Sequence, residues 1–401
     1  MLKNSKVYWA SPIEMAALRN TSKNMVTNKL VKTRLILDKI LDNIEPGDQV
    51  AIKVHVGEAL NTHYLRHDYV HEVIKAVKSL QAIPTLVETQ GGGNHLEEIE
   101  INDDYSICIG HRKNTAEHQA IAKLHGYDEC IIGAPLKFLD GEQGIERNII
   151  EINGIKLKSV SVAKYLNNYD KLLVISHFKG HPQAGFGGAL KQLGIGCVTK
   201  HNKHLAHADE MLRINEKKCD ISQCKQECIN SCPVNAIKIK NEKALIDAEL
   251  CYGCFRCFLK CPIKRAIRKP KMNEIDEFTD RFIDGAAAVV KSFGSENIRY
   301  INFALDIPLM CDCVPNPGMA VVPDLGIFGS ADPVAIDKAC YDAETEAPGL
   351  PILKEDGQWT KPLEQGIEKF KAMMGMLNPI RQFEAALQNQ IGSTIYELIQ
   401  I

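Results

Sequence analysis

Hydrophobic and polar residues follow two rhythms along the first half of the chain: short apolar runs that predict strands, and amphipathic stretches that predict helices. The predicted elements are strand 6–10, helix 28–44, strand 49–56, helix 69–80, strand 84–88 and strand 171–176. This order is typical of an α/β fold, a mainly parallel sheet with helices on both faces. The strand at 171–176 is apolar through its middle, which predicts a buried central position. Asn153 and Gly154 predict a hairpin turn between residues 149–152 and 155–158.

The same rhythm returns after residue 270. The predicted elements there are helix 275–293, strand 298–305, strand 320–328, helix 333–341 and helical stretches at 363–377 and 382–387. We therefore predict one α/β domain in two parts, residues 1–214 and 271–401, the second ending in a helical tail. The two parts are separated by an α+β insert over residues 215–270.

Composition limits the functions open to the chain. Its 401 residues exceed what one core usually supports, so an insert plus one large domain fits the length. With 24% charged residues and a net charge of -2, there is no basic surface for nucleic acid. No leader and no membrane-length apolar stretch is found, which predicts a cytoplasmic protein with no membrane partner. The 14 cysteines then indicate metal and reduced thiols rather than disulfides, and exposed clusters would suit an anaerobic host.

Eight of the cysteines lie between residues 219 and 261, in two groups that each end in Cys-Pro. The second group has the spacing C-x2-C-x2-C-x3-C-P, in which three thiolates hold one [4Fe-4S] cluster and the fourth turns to the neighbouring cluster. The first group is looser, with four and then three residues between its first cysteines. The fourth cysteine of each group thus binds the cluster of the other group, which we call the crossed rule. This rule assigns one cluster to Cys219, Cys224, Cys228 and Cys261. It assigns the other cluster to Cys251, Cys254, Cys257 and Cys232.

The insert resembles a bacterial-type two-cluster ferredoxin, and short strands are predicted at 236–239 and 244–247. A zinc ribbon also uses paired cysteines and is the alternative. Zinc would leave four of the eight cysteines and both Cys-Pro endings unexplained. The cofactors that we predict are two [4Fe-4S] clusters.

A glycine-rich segment at residues 176–197 directly follows the central strand. Its six glycines, Gly187 and Gly188 among them, allow a backbone to approach a ligand closely. Loops at the carboxyl ends of parallel strands are where α/β sheets bind substrates, and His181 and Lys191 supply polar groups there. The alternative is a tight structural turn, which normally needs only one or two glycines.

Three histidines follow at a spacing of three residues: His201, His204 and His207. If this stretch is helical, they share one broad face, where histidines can bind metal or move protons. A solvated helix face is the alternative for His201 and His204.

Two further segments carry candidate groups. Cys311 and Cys313 close a predicted strand and can ligate a metal or serve in redox chemistry, with inert buried cysteines as the alternative. A glycine turn at 326–329 precedes Asp332 at a predicted helix start, where an anion can bind near Ser330. A helix cap without a ligand is equally consistent.

Polar residues also follow the strands that end near residues 56 and 88. They include Lys53, His55 and Glu58 at the end of the first strand, and Glu88 to His95 at the end of the second. Since the carboxyl ends of parallel strands meet at one edge of the sheet, we expect a shared cleft there.

The order of these segments resembles the domain of unknown function 362 family of iron–sulfur proteins. It comprises Lys53 to His55, residues 176–181, Gly185 to Lys191, Cys311 to Cys313 and residues 330–337 around the ferredoxin-like insert. The resemblance covers the whole chain and implies the architecture, while it leaves the reaction open.

A second resemblance, to the core motif of nickel-pincer lactate racemases, is carried by His181-x9-Lys191-x15-His207. It implies that Lys191 attaches the pincer nucleotide, that His207 ligates nickel and that His181 moves a proton. Arg66 and His95 would correspond to a substrate arginine and a second catalytic histidine. The chain departs from that family in lacking the serine before the paired glycines and in carrying the ferredoxin-like insert.

The leading hypothesis is an iron–sulfur oxidoreductase whose clusters exchange electrons with a small molecule or metallocofactor in the cleft. Its catalytic candidates are His181, Lys191, His207 and His95, and its cofactor-binding candidates are Lys191, Gly187, Gly188 and Ser330. Cys311 and Cys313 are candidate ligands of an additional metal centre. A ferredoxin or reductase is the expected redox partner, and a homodimer is compatible with the sequence. The alternatives are a racemase or isomerase with structural clusters, and a non-enzymatic electron carrier or metallocluster maturation factor.

Overall fold

The computed structural model describes residues 5–12, 28–92, 97–102, 105–110 and 112–401. Up to residue 207 the strands are β1 (Ser5–Ala10), β2 (Gln49–Lys53), β3 (Ile83–Glu88), β4 (Glu97–Asn102), β5 (Tyr105–Ile109), β6 (Leu136–Phe138), β7 (Arg147–Glu151), β8 (Ser159–Ala163), β9 (Lys171–His177), β10 (Lys179–His181) and β11 (Gly185–Gly187). The helices are α1 (Lys29–Ile40), α2 (His67–Ser79), α3 (Thr115–Leu124), α4 (Glu129–Ile132), α5 (Ala189–Gly194) and α6 (Lys200–His207).

The rest of the chain continues this order after a short cysteine-rich segment. That segment contains β12 (Arg213–Ile214), α7 (Glu227–Asn230), β13 (Ile237–Lys240), β14 (Lys243–Ile246), α8 (Arg256–Lys260) and β15 (Ile267–Arg268). The remaining elements are α9 (Ile275–Phe293), β16 (Ile298–Ala304), β17 (Gly326–Ser330), α10 (Pro333–Glu346), α11 (Lys369–Met374), α12 (Ile380–Gln388) and β18 (Tyr396–Gln400). No helix in the described ranges is both long enough and apolar enough to cross a bilayer.

One eight-stranded sheet, in the order β18-β1-β17-β16-β9-β2-β3-β6, organises the molecule. From β16 to β6 every neighbouring pair is parallel, while β17 runs antiparallel to both β16 and β1. The predicted α/β class with a mainly parallel sheet is therefore confirmed. The strand predicted at 171–176 is β9, which lies between β16 and β2 in the interior of the sheet.

Both faces of β9 are buried because its side chains alternate between two apolar cores. Val174 packs in the core that includes α5 and α9, whereas Leu173 and Ile175 pack in the core that includes α1 and α2. Alternation with a period of two is a property of every strand, so helices on both sides are needed to cover an apolar run of this kind.

The predicted hairpin is only partly correct. β7 does pair with β8, but β8 begins at Ser159, so residues 155–158 are not a strand. The backbone N–H groups of Ile155, Lys156 and Leu157 instead donate to the buried carboxylate of Asp284, at 2.7 to 2.8 Å. The backbone N–H groups that a strand would use for pairing thus donate to a side chain of α9.

The predicted glycine turn at 326–329 is wrong, because these residues form β17 in the sheet. A Cβ atom on Gly329 would lie 2.5 Å from Cγ2 of Ile36, so this glycine lets α1 pack directly on the strand. The prediction of Asp332 as a helix cap is confirmed, since its carboxylate accepts from the N–H groups of Val334 and Ala335.

The cysteine-rich segment between α6 and α9 has its own apolar cluster, which includes Leu212, Ile237 and Ile267. Its two ends meet where β12 pairs antiparallel with β15, and β13 and β14 form a hairpin within it. The strand pair lies at the limits predicted for the insert, 215 and 270, and those boundaries stay a prediction.

Candidate functional site

A cavity of about 310 Å³ lies at the carboxyl ends of β2, β3 and β9. His55 and Glu88 line it from the ends of β2 and β3, and Lys179 and His181 line it from the strand after β9. This position follows from the parallel order of the three strands, which brings their carboxyl ends to one edge. We call this cavity the cleft.

Buried ion pairs build one wall of the cleft. Glu88 accepts from Nζ of Lys53 at 2.6 Å and lies 3.1 Å from Nδ1 of His55. Burial alone would raise the pKa of Glu88, but the charge of Lys53 and the hydrogen bond with His55 hold this pKa well below its usual value. Arg112 pairs with Glu58 at 3.1 Å beside them. The acidic groups of this wall are therefore already neutralised by the protein.

The glycine-rich segment forms the hairpin of β10 and β11 and then the start of α5. The buried carboxylate of Asp337 accepts from the N–H groups of Ala189 and Leu190, at 2.7 and 2.9 Å. A Cβ atom on Gly188 would lie 2.3 Å from this carboxylate. Gly188 thus permits the contact that fixes the start of α5, and α5 presents Lys191 to the cleft.

The three residues of the His-Lys-His motif converge in the cleft. The rings of His181 and His207 lie 6.1 and 4.7 Å from the ring of Phe278, and Lys191 lines the same cavity. Burial, followed by the charge of Lys191, holds the pKa of His181 well below its usual value and lowers that of His207 to about 4. Both imidazoles are therefore neutral at pH 7.

Backbone contacts determine which nitrogen of His181 carries the proton. Its Nδ1 accepts from the N–H groups of Gln183 at 3.2 Å and Ala184 at 3.0 Å. A nitrogen that accepts two hydrogen bonds is unprotonated, so the neutral ring carries its proton on Nε2. His181 is consequently a hydrogen-bond donor at Nε2.

Cys311 and Cys313 reach the same place from the turn after β16. Their sulfur atoms and a ring nitrogen of His181 all lie within 4.8 Å of one another. Nζ of Lys191 lies 3.4 Å from Sγ of Cys311. A hydrogen bond from Cys313, and after it the charges of Lys191 and Lys179, hold the pKa of Cys311 well below that of a free thiol. These contacts outweigh burial, which acts in the opposite direction, so the shift favours the thiolate form of Cys311 with Cys313 as its hydrogen-bonding partner.

Asp312, between the two cysteines, anchors this turn. Its carboxylate is fully buried and lies 2.9 Å from both Nδ1 of His177 and Nζ of Lys179. Its carbonyl oxygen accepts from the N–H group of Glu58 at 2.8 Å. The positions of both thiols are thus fixed to β9, to β10 and to the segment after β2.

Helix α6 supplies two more cations to the cleft. Nζ of Lys203 donates to Oγ1 of Thr89 at 2.8 Å, and Lys200 donates to the carbonyl oxygen of Lys113. Burial lowers the pKa of each lysine to about 8, although the charge of Asp140 acts in the opposite direction on both. Asp140 does not line the cleft, so the cleft has an excess of positive charge on this side.

The same helix contacts the cysteine-rich insert. Nδ1 of His201 lies 3.0 Å from the carbonyl oxygen of Cys251, and Nζ of Lys200 lies 4.8 Å from the ring centre of Tyr252. Gly253 packs directly on the ring of His204. Since Lys200 and His204 also line the cleft, α6 is a single layer between the cleft and the loop that starts at Cys251.

Each predicted set of four cysteines surrounds a small, mostly apolar cavity of the insert. One cavity is lined by Cys232, Cys251, Cys254 and Cys257. The other is lined by Cys219, Cys224, Cys228 and Cys261. The structure therefore brings together the cysteines in the sets that the crossed rule predicts. We call the first set, which includes the loop against α6, the proximal set and the second the distal set.

Other predicted site residues lie elsewhere. Ser330 does not line the cleft, because β17 runs antiparallel to β16 and the carboxyl end of β17 is at the opposite edge of the sheet. The hydroxyl of Ser330 instead donates to the carbonyl oxygen of Lys6 at 2.8 Å. Arg66 is 71% exposed and pairs with Asp68. His95 lies outside the described residues.

Sequence reasoning did not single out Lys179, Lys200, Lys203 or Arg112. Lys200, Lys203 and His207 are spaced by three and four residues, the spacing of one helix face, so the pattern that indicated the histidines could have indicated the lysines too. No local signal marks Arg112, which reaches the cleft only through tertiary packing.

The contact between Gly253 and His204 gives a testable prediction. Gly253 has φ +74°, and an added Cβ would lie 2.0 Å from Nδ1 of His204, so Gly253→Ala should displace the loop from α6. Gly357 has a similar φ of +78° with nothing within 4 Å of an added Cβ, and Gly357→Ala is the matched control. We expect the control to cost about 1 kcal/mol and Gly253→Ala clearly more, measured as thermal unfolding with iron content in parallel. Equal losses would show that the close contact is unimportant.

Comparison with known proteins gives an extensive match to one family model. The family described as Domain of unknown function (DUF362) matches residues 50–342, which span the sheet from β2 to α10 and include the whole insert.

Two curated proteins match over short segments. A protein of Escherichia coli (strain K12) named Putative oxidoreductase UacF is 32% identical over 81 residues, covering 17% of this chain and 12% of that protein. A subunit of the tetrathionate reductase of Archaeoglobus fulgidus is 40% identical over 53 residues, covering 13% of this chain and 26% of that protein. The chain thus spans only a small part of each relative.

Two solved structures share a general likeness. One is the lactate racemase apoprotein of Thermoanaerobacterium thermosaccharolyticum, with a TM-score of 0.32 and 11% identity over 75% of this chain and 51% of that one. The other is a Thermotoga maritima protein, with a TM-score of 0.33 and 8% identity over 74% of this chain and 51% of that one.

Proposed function

The chain belongs to the family described as Domain of unknown function (DUF362), and we propose that it is an iron–sulfur oxidoreductase. In this proposal two [4Fe-4S] clusters in the insert exchange electrons with a small anionic molecule in the cleft. The names of the two curated relatives, a putative oxidoreductase and part of a reductase, support a redox role without identifying the substrate.

The donor sets of the insert fit two iron–sulfur clusters. Four thiols line each cavity, the rest of each lining is mostly apolar, and the second group keeps the C-x2-C-x2-C-x3-C-P spacing throughout. The proximal set would hold one cluster and the distal set the other. When bound, such clusters supply one-electron transfer at potentials set by their surroundings.

The observation that carries the proposal is the position of α6. Lys200 and His204 contact the loop of the proximal set and also line the cleft. An electron donor or acceptor in the cleft would therefore be separated from the proximal set by one layer of side chains. A purely structural insert would have no need of this arrangement.

The charges of the cleft support an anionic substrate. Lys191, Lys200 and Lys203 line it and form no salt bridge within the described residues. The other charged groups are already paired, Lys179 with Asp312, Arg112 with Glu58, and Glu88 with Lys53. A negatively charged carboxylate or phosphate would be attracted by this excess. The volume of about 310 Å³ suits a small metabolite rather than a polymer.

The polar groups around Lys191 have distinct tasks in this proposal. Lys191 attracts the anion, His181 donates a hydrogen bond from Nε2, and neutral His207 is available to accept a proton. Both histidines pack against Phe278, which orients their rings.

The test begins with metal and sulfide analysis of the full chain purified without oxygen, combined with electron paramagnetic resonance before and after dithionite. We expect about eight iron atoms per chain with matching sulfide. The reduced protein is then mixed with anionic oxidants, namely tetrathionate, nitrite, sulfite and fumarate, and reoxidation is followed. Zinc in place of iron, or clusters that pass electrons to none of many acceptors tried, would refute the proposal.

Removal of Lys191 gives a second prediction. We expect Lys191→Ala to weaken the binding of anions such as phosphate or oxalate at least tenfold, about 1.4 kcal/mol, while iron content is unchanged. Lys75→Ala, at a 54% exposed side chain outside the cleft, is the control for loss of one charge. Binding is measured by titration calorimetry, and parallel loss of iron would instead link this lysine to a cluster.

The convergence of His181, Lys191 and His207 supports a second candidate, a racemase or isomerase with structural clusters. Nickel in the purified protein, together with added mass on Lys191 in intact-protein mass spectra, would favour it over the oxidoreductase.

A further inference from the structure

We propose that Cys311 and Cys313 form a reversible disulfide in the cleft, a two-electron couple between the one-electron clusters and the substrate. This inference rests on the proposed function and deepens it. It assigns to the two thiols a redox role rather than the metal site that the sequence also leaves open.

The turn places the two sulfur atoms within reach of a bond. They lie within 4.8 Å of each other, and the N–H group of Val314 donates to the carbonyl oxygen of Cys311 at 3.1 Å, closing a tight turn over these residues. In a closed turn the first and third Cα atoms are about 5 to 6 Å apart, the range that disulfides prefer. The turn therefore meets the Cα separation that a disulfide requires, and the two sulfur atoms are already close to each other.

The two thiols have different access to the cleft. Cys311 is fully buried beside Nζ of Lys191, whereas Cys313 is part of the cleft lining. A substrate would therefore meet Cys313, and Cys311 is held behind it as the partner sulfur. This arrangement of an accessible and a resolving cysteine is the one that a dithiol couple needs.

His181 does not complete a metal site with them. Its Nδ1 is occupied by two backbone N–H groups, and its Nε2 carries the proton. Neither nitrogen offers the free lone pair that a metal requires, so two sulfur atoms remain without a third ligand from this ring. The Nε2–H group can instead donate a hydrogen bond into the cleft.

The step balances in electrons and protons. Closing the bond between Sγ of Cys311 and Sγ of Cys313 oxidises the pair and releases two electrons together with the protons that the two sulfur atoms carry. In the proposed function the two clusters take these electrons one at a time, and the protons leave through the cleft. Reduction of the disulfide takes up the same two electrons and the protons again. The substrate exchanges two electrons with the pair in the other half of the cycle.

The experiment uses the full chain in anaerobic glutathione redox buffers of stepped potential, quenched in acid, alkylated and digested with trypsin. Because no Lys or Arg lies between Arg299 and Lys338, both thiols fall in one peptide that contains no other cysteine. We expect this peptide to change from two alkyl groups to none, with loss of two hydrogen atoms, in one two-electron transition. Two alkyl groups at every potential, or protection by a bound metal, would overturn the inference.

The reduction potential of the disulfide in Lys191→Met tests the role of this lysine, because the potential would not change if Lys191 were only structural. Nζ of Lys191 lies 3.4 Å from Sγ of Cys311, so its charge favours the reduced pair. Without this charge the disulfide should be harder to reduce, by about tenfold in the equilibrium constant or about 30 mV. Lys75→Met should leave the potential unchanged. Intact clusters with a permanent dithiol would refute this inference alone, whereas a reversible disulfide in a chain that binds no iron would refute the proposed function alone.

Discussion

Cys254→Ser is expected to remove or convert the cluster of the proximal set and to leave the α/β domain folded. Iron should fall from about eight to about four atoms per chain, because the distal set keeps its four thiols. The insert has its own apolar cluster, so the main unfolding transition should change little. The measurement is metal analysis with electron paramagnetic resonance and thermal unfolding. Loss of the whole fold would show that the insert is not an independent unit.

Comparison with Cys224→Ser makes this test specific to the electron path. Cys224 belongs to the distal set, while the described contacts of α6 with the insert are made by the loop after Cys251. Both variants should lose one cluster, but only Cys254→Ser should stop the dithionite-reduced protein from reoxidising with the most active anionic oxidant. Cys130→Ser, at an exposed free cysteine, is the control for the chemical change alone. Equal reoxidation by both variants would contradict an electron path that runs from the proximal set through α6 to the cleft.

Asp312→Ala should be the most destabilising single change at the cleft. It removes the buried carboxylate that faces both His177 and Lys179 and leaves the charge of Lys179 without its buried countercharge. Breaking a buried pair in this way costs about 3–5 kcal/mol. At an unfolding entropy of about 2.1 cal/mol/K per residue, the unfolding temperature of a domain of this size should fall by roughly 4–7 °C. Differential scanning calorimetry of the anaerobic, cluster-loaded protein measures it.

The control for Asp312 lies six residues earlier. Asp306 is 61% exposed and 3.6 Å from His63, so Asp306→Ala removes the same group without burying an unpaired charge. Burial opposes ionisation of Asp312, but the charges of Lys179 and His177 hold its pKa below the usual value. Its contribution is therefore complete at pH 7 and is lost as the pH falls below about 4, and the deficit of Asp312→Ala should shrink in the same direction. A deficit equal to that of Asp306→Ala would refute the role of the pair.

The sequence by itself determined the local elements and the cysteine groups. The apolar run of β9, the helix of α9 and the crossed cysteine sets follow from periodicity and spacing, which are properties of neighbouring residues. Strand ends gave the position of the cleft, since parallel strands place their carboxyl ends together. These signals are local, or follow from a general rule of α/β sheets.

Only the tertiary structure decided which of the candidates meet. The reversal of β17 moves Ser330 to the far edge of the sheet, and the approach of α9 draws residues 155–157 away from the strand predicted there. The pairing of Lys191 with Cys311 joins positions 120 residues apart, and no periodicity reports a contact of that kind. Long-range packing decides the direction of a strand, the partner of a charge and the position of a proton on a ring. These features therefore become visible only when the chain is folded.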